Sequence, residues 1–322
     1  MIELLYTRRY KINFTFSFIL SFFLAVIAAG VLSRLPDGTS LAHDLKAFAG
    51  VSVFIISNLY FTRKYRRRRK VLLTPFPSHW IEILEKHVPF YSLLNKNDRI
   101  IFQKKIQLFL SGVLITGVGM EIDDTTRVLI GAGAAIPVFK VTDWEYVLIT
   151  DVFVCPDKFN EYFPLVSSES NIMGLVVHNK SAVYLSKESL LRGFSKTDGN
   201  NTGIHEFMHK IDEGSGDIDG ILPFPFLSRK ERLEWLKIVD REMERLKEGD
   251  SLLHPYALTN RAEFIAVAAE FFFERPLEMK KYHPVLYRTM EKIFRQNLSA
   301  AAGIETKNMF KKRSPGKAEK SE

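Results

Sequence analysis

The chain holds a single cysteine, Cys155, in 322 residues. That excludes an intramolecular disulfide and any zinc site built from thiolates, and it fits a reducing compartment. Net charge is scarce beyond residue 70, where 33 Lys/Arg face 34 Asp/Glu. Residues 1–70 hold 12 Lys/Arg against 3 Asp/Glu. The overall charge of +8 is therefore no basic face spread over a globular domain, which argues against nucleic acid as a partner. Charge is missing altogether from residues 12–33, and a second apolar run, residues 43–62, carries it only near its start.

Each run is long enough for a helix of about 20 residues to cross a bilayer. A cleaved signal peptide is the alternative for the first, since Arg8, Arg9 and Lys11 precede it. The second run, following so closely, favours an uncleaved helical hairpin. Arg63, Lys64, Arg66, Arg67, Arg68, Arg69 and Lys70 follow the second span, while the connection at 34–44 is poor in positive charge. The positive-inside rule then puts both termini of a multi-pass anchor in the cytoplasm. The basic run meets lipid headgroups in this reading.

Residues 1–73 thus form a transmembrane hairpin with basic flanks. Residues 74–303 have the length of one sizeable globular domain, and 304–322 read as a disordered charged tail. Within the domain, residues 79–112 look helical with a break at 95–98, 113–119 look like a short strand, and 123–135 a buried helix. Strand-like runs follow at 147–150, 152–155, 174–178 and 182–186, with Asn179-Lys180 between the last two as a tight turn. The run at 182–186 is either an ordinary core strand or an edge that pairs with extended substrate. His178 reads as a turn residue rather than a ligand. Ser228 and Glu231 form a capping box opening a helix to about Lys247, with Leu233, Leu236, Val239, Met243 and Leu246 on its apolar face. A helix over 261–274 buries Phe264, Val267, Ala268, Phe271 and Phe272.

The chemistry gathers on Ile204-His205-Glu206-Phe207-Met208-His209-Lys210-Ile211-Asp212. On a helix His205 and His209 lie one turn apart on one face, where two imidazoles grip one metal ion, and zinc suits nitrogen donors best. Glu206 then lies beside the metal, placed to take a proton from water. Asn200, Thr202 and Gly203 read as the preceding loop and cap. Asp212 is either a partner for a ligand imidazole or a polar residue ending the helix. Glu263 and Glu270, seven apart on one apolar helix, need a buried cation as partner. The Gly- and Asp-rich stretch at 212–220 lacks calcium-loop spacing and reads as a solvated loop.

The segment Gly203–Asp212, Pro255-Tyr256-Ala257, Ala262–Val267 and Glu270-Phe271-Phe272 together resemble the MtfA family of bacterial zinc peptidases, which are gluzincin-like and distantly similar to the catalytic domain of anthrax lethal factor. The likeness spans about residues 75–300. It implies an α+β zincin-like fold, mostly helical with a small mixed sheet, and one zinc ion per chain held by His205, His209 and Glu263. It also implies Glu206 as general base and Tyr256 as donor to the oxyanion. Family members are associated with aminopeptidase-like cleavage of small peptides and with binding a sugar-uptake repressor. The expected function is therefore peptide-bond hydrolysis by a membrane-anchored zinc enzyme acting on a peptide or protein substrate. A tethered module that sequesters a cytoplasmic regulator is the alternative. The N-terminal hairpin departs from the soluble pattern of that family.

Overall fold

In the computed structural model the described residues are 8–34, 40–141, 144–146, 148–156 and 181–301. They divide into two compact units that meet in sequence at Pro75 and Phe76. The first unit holds α1 (Arg8–Leu32), α2 (Ser40–Phe61) and α3 (Arg63–Leu73). Large apolar side chains such as Phe16, Phe22, Ile27, Phe48 and Ile56 point outward on α1 and α2. Their serines turn inward upon the helix itself: Ser17 Oγ donates to Asn13 O at 2.7 Å, and Ser57 Oγ to Val53 O at 2.6 Å. A helix that covers its own polar groups and exposes aromatic and branched surface fits an apolar solvent. Both helices have windows long and apolar enough to cross a membrane.

The second unit opens with α4 (Ser78–His87), α5 (Pro89–Ser92) and α6 (Lys96–Gly112), then β1 (Leu114–Gly117) and α7 (Asp124–Ala135). Strands β2 (Asp151–Cys155) and β3 (Ala182–Ser186) complete a parallel sheet in the order β1-β2-β3, with Ile115 opposite Val152 and Val152 opposite Val183. Helices α8 (Lys187–Ser195), α9 (Thr202–Asp212), α10 (Arg229–Lys247), α11 (Arg261–Glu274), α12 (Pro276–Tyr282) and α13 (Pro284–Phe294) follow. The unit is α+β, mostly helical, with a small sheet that is parallel among the described residues rather than mixed.

Local chemistry sets the helix starts. Asn95 Oδ1 accepts the Asp98 N–H, Asp123 Oδ1 accepts the Thr126 N–H, and Ser228 and Glu231 form the reciprocal box. Each such cap satisfies a donor that the helix leaves orphaned. Helix α7 is built from small residues because it runs close to α9. A Cβ at Gly133 would stand 2.8 Å from the Gly203 carbonyl, so neither backbone could approach with larger side chains.

Some expectations shift. Residues 148–150 are not strand; the extended run starts at Asp151. Leu233 is 69% exposed, and Trp235 takes the core position on α10 with 0% exposure. The indole N–H donates to Gly220 O at 2.7 Å, which fixes the α10 face that turns inward. The expected strand at 174–178, the Asn179-Lys180 turn, His178 and the tail from 304 lie outside the described residues.

Candidate metal centre

Helix α9 begins at Asn201, whose Oδ1 accepts the Ile204 N–H at 3.2 Å, so the cap is Asn201 rather than the residues beside it. Ile204, Phe207, Met208 and Ile211 are buried and pin the helix to the core. The remaining face carries His205 and His209, whose Nε2 atoms lie 3.1 Å apart. Helix α11 supplies the third donor. Asn260 Oδ1 accepts the Glu263 N–H at 2.9 Å, holding Glu263 in the first turn. The Glu263 Oε2 atom stands 3.0 Å from His205 Nε2 and 3.4 Å from His209 Nε2.

These separations are the test of whether a zinc ion fits. Donors about 2.0–2.1 Å from a tetrahedral ion lie about 3.3 Å from one another. The triangle here has edges of 3.0, 3.1 and 3.4 Å. The three side chains are 14%, 18% and 16% exposed, so the cluster is shielded without being fully buried. The tautomer supports the same reading. Glu270 Oε1 lies 2.7 Å from His205 Nδ1, which places the imidazole proton there and turns the Nε2 lone pair toward Glu263. With the ring neutral, Nε2 and Glu263 face each other as two acceptors, an arrangement that either a metal cation or a second proton on the imidazole satisfies. His209, His205 and Glu263 form the one donor group of this kind among the described residues.

Glu270 is itself anchored. It is buried, and its Oε2 accepts the Asn201 N–H. Asn201 Nδ2 donates to Gly193 O at 3.2 Å and to Glu274 Oε1 at 2.9 Å. Helix α11 thus presents Glu263, Glu270 and Glu274 as a stripe of carboxylates. One reaches both imidazoles, one holds the far side of His205, and one ties down the loop before α9.

The electrostatics follow from this crowding. Burial opposes charging of His205, but the hydrogen bond and charge of Glu270, with Glu206 and Glu263, lift its pKa to about 9. Burial pushes the Glu206 carboxyl up; His205 pulls it down, and Glu263 and Glu270 push it further up. Burial and the neighbouring His205 lower His209. Burial raises Glu274 to about 8 against the pull of Asn201 and Gly199. The phenol of Tyr256 is raised by burial, then by the charge of Glu263 and its hydrogen bond to that carboxylate.

Tyr256 sits in the short 3-10 turn Pro255–Leu258, with its ring 6.0 Å from that of His205 and half its surface exposed. Asp212 does not meet an imidazole. It is buried, and its Oδ2 accepts the Gly220 N–H at 2.8 Å, so it shapes the loop after α9. Two residues that sequence reasoning passed over matter here. Asn201 was legible as an Asn three residues before Ile204; Glu274 was legible only as one more carboxylate, four residues past Glu270.

The chain is similar to several known proteins. An uncharacterized protein of Synechocystis sp. is 28% identical over 248 residues, covering 71% of this chain and 87% of that protein. Mlc titration factor A of Serratia proteamaculans is 27% identical over 161 residues, 48% of this chain and 60% of that protein. Mlc titration factor A of Salmonella agona is 25% identical over 195 residues, 56% of this chain and 72% of that protein. The model of the glucose-regulated metallo-peptidase M90 family matches residues 62–295, from the basic helix to the end of α13 and across every residue of the cluster, and the chain belongs to that family.

Proposed function

We propose that the chain is a membrane-anchored zinc peptidase that hydrolyses peptide bonds on the cytoplasmic face of a bacterial inner membrane, with aminopeptidase-like action on small peptides. The observation that carries this reading is the triangle of His205 Nε2, His209 Nε2 and Glu263 Oε2, with Glu206 next to it on the same helix. When bound, a zinc ion supplies Lewis acidity, polarising a carbonyl and lowering the pKa of water to about 7.

This chain's residues do the rest. Glu206, next to His205 on α9, takes the proton of the attacking water and returns it to the leaving amine. Tyr256 leaves Glu263 and donates its hydroxyl hydrogen to the carbonyl oxygen as that oxygen gains charge. Glu270 holds His205 in the tautomer that offers Nε2.

Glu206→Gln tests the reading: zinc content stays at one per chain while peptide turnover falls by roughly 10²–10⁴-fold. Wild-type turnover in that variant would remove Glu206 as the base. A second reading, a tethered module that binds a cytoplasmic regulator, draws on the name Mlc titration factor A borne by several relatives. A pure binder has no use for a carboxylate beside the donors, so an assay of peptide cleavage with and without chelator separates the two.

A further inference from the structure

We propose that one face of α3, formed by Arg66, Arg69 and Lys70 with Leu73 at its end, is a binding site for the phosphate headgroup of an anionic phospholipid. The proposal rests on the reading of α1 and α2 as a membrane hairpin.

The four residues fall at i, i+3, i+4 and i+7, so they share one side of the helix. With Thr74 and Pro75 they line a groove of about 650 Å³. The three cations stand exposed on its wall, and Leu73 and Pro75 add apolar surface. A phosphodiester carrying a glycerol and the first carbons of two chains matches that combination of charge and apolar surface. A free inorganic anion would use only the charge.

Depth favours a lipid as the source of the phosphate. Thr62 alone separates α2 from α3, and the Arg66 N–H reaches Thr62 O at 3.0 Å, so the helical path is nearly unbroken. At 1.5 Å per residue, Arg66 to Lys70 lie about 7–13 Å beyond the last residue of the span. The headgroup layer on each side of a bilayer is about 5–8 Å deep. Long side chains close the difference by reaching back. Arg66 does so here, donating from Nη2 to Leu59 O at 2.5 Å, within the last turn of α2. Arg63 lies over the Tyr60 ring at 4.6 Å, and Tyr60 is exposed, as in an interfacial aromatic belt. The guanidinium groups of Arg63 and Arg66 are therefore carried to the level where phosphates lie. Charge elsewhere in the chain is nearly balanced, so nothing extends this basic strip into a track for nucleic acid.

The test uses the full chain in nanodiscs of phosphatidylcholine containing a minority of phosphatidylglycerol, with retained lipids counted by native mass spectrometry. The wild type retains phosphatidylglycerol in preference. Arg66→Gln/Arg69→Gln/Lys70→Gln reduces that preference on the order of tenfold or more, since each basic group at an anionic surface contributes severalfold. Lys64→Gln/Arg67→Gln/Arg68→Gln removes the same charge from the rest of the helix and leaves the preference near wild type. Unchanged zinc content in both variants shows that the peptidase unit is folded. Equal loss in the two variants would replace the site with general surface attraction. No preference in the wild type would remove it, as would displacement of phosphatidylglycerol by duplex DNA or by millimolar inorganic phosphate at constant ionic strength. A chain that never enters the nanodisc would overturn the hairpin reading and this site with it.

Discussion

Helices α1 and α11 are both rich in phenylalanine, yet they solve opposite problems. On α1 the rings of Phe16, Phe18, Phe22 and Phe23 face outward, and the serines hydrogen-bond carbonyls of their own helix. On α11, Phe264, Phe271, Phe272 and Phe273 are buried, and the polar groups Glu263, Glu270 and Glu274 reach across to another element. Apolar content tells how much of a helix avoids water. The destination of its few polar groups tells whether it does chemistry. Serines that serve their own backbone mark a helix that needs no partner for its polar atoms; carboxylates that leave theirs mark one that builds a site.

The sharpest break of this comparison is to remove a carboxylate that crosses. Glu263→Ala should lower zinc content well below one per chain and abolish turnover, as read by metal analysis of purified protein. Full zinc occupancy would mean the third donor lies elsewhere.

Next in size is core packing. Trp235→Ala should cost about 3–5 kcal/mol, through the lost indole volume and the stranded Gly220 carbonyl. Leu233→Ala, two residues away and exposed, should stay within about 0.5 kcal/mol. Chemical denaturation of both variants checks the contrast, and similar losses would contradict the assigned face of α10.

Glu270→Gln should weaken zinc binding by roughly 10–100-fold in a chelator competition while leaving the fold intact. Unaltered affinity would reduce Glu270 to a structural residue.

The smallest effect is a pH dependence at the start of α7. Burial would raise Asp123, but the ion pair with Lys187 and the Thr126 N–H outweigh it and hold the pKa at about 2. A depressed carboxylate contributes stability that is present above its ordinary value of 3.8 and lost as pH falls through about 2. Half-exposed, the pair is worth under about 1 kcal/mol. Asp123→Asn keeps a capping oxygen and removes the charge. Melts of variant and parent should differ at pH 5 and converge near pH 2; a constant gap would point to the cap instead.

Much of this protein was legible because it is local. The 261–274 helix, the capping box at Ser228 and the paired imidazoles of α9 each follow from spacing along a single helix. The lapses have one physical origin. The Leu233 error arose because helical periodicity marks a face without saying which neighbouring residue is drawn to a distant carbonyl, here Gly220 meeting Trp235. Asp212 left two readings open for the same reason: seven residues from His205 puts it near the imidazole face, yet it ends α9 and the loop that folds back brings Gly220 to it.

What the amino-acid order determined alone is a pair of apolar spans with basic flanks, and a helix carrying two imidazoles one turn apart beside a carboxylate. Glu263 and Glu270 share a face at a spacing of seven, and nothing along the chain distinguishes their tasks. Tertiary structure decided that, because α9 and α11 lie side by side in opposite senses. Asn201 at the start of α9 meets Glu270 and Glu274 near the end of α11, while Gly220, held by Asp212, packs on Arg261 at its beginning. That arrangement brings Glu263 to the Nε2 atoms and Glu270 to the Nδ1 of His205. Helical spacing sets which side chains share a surface; only the placement of a second helix sets which atom each of them meets.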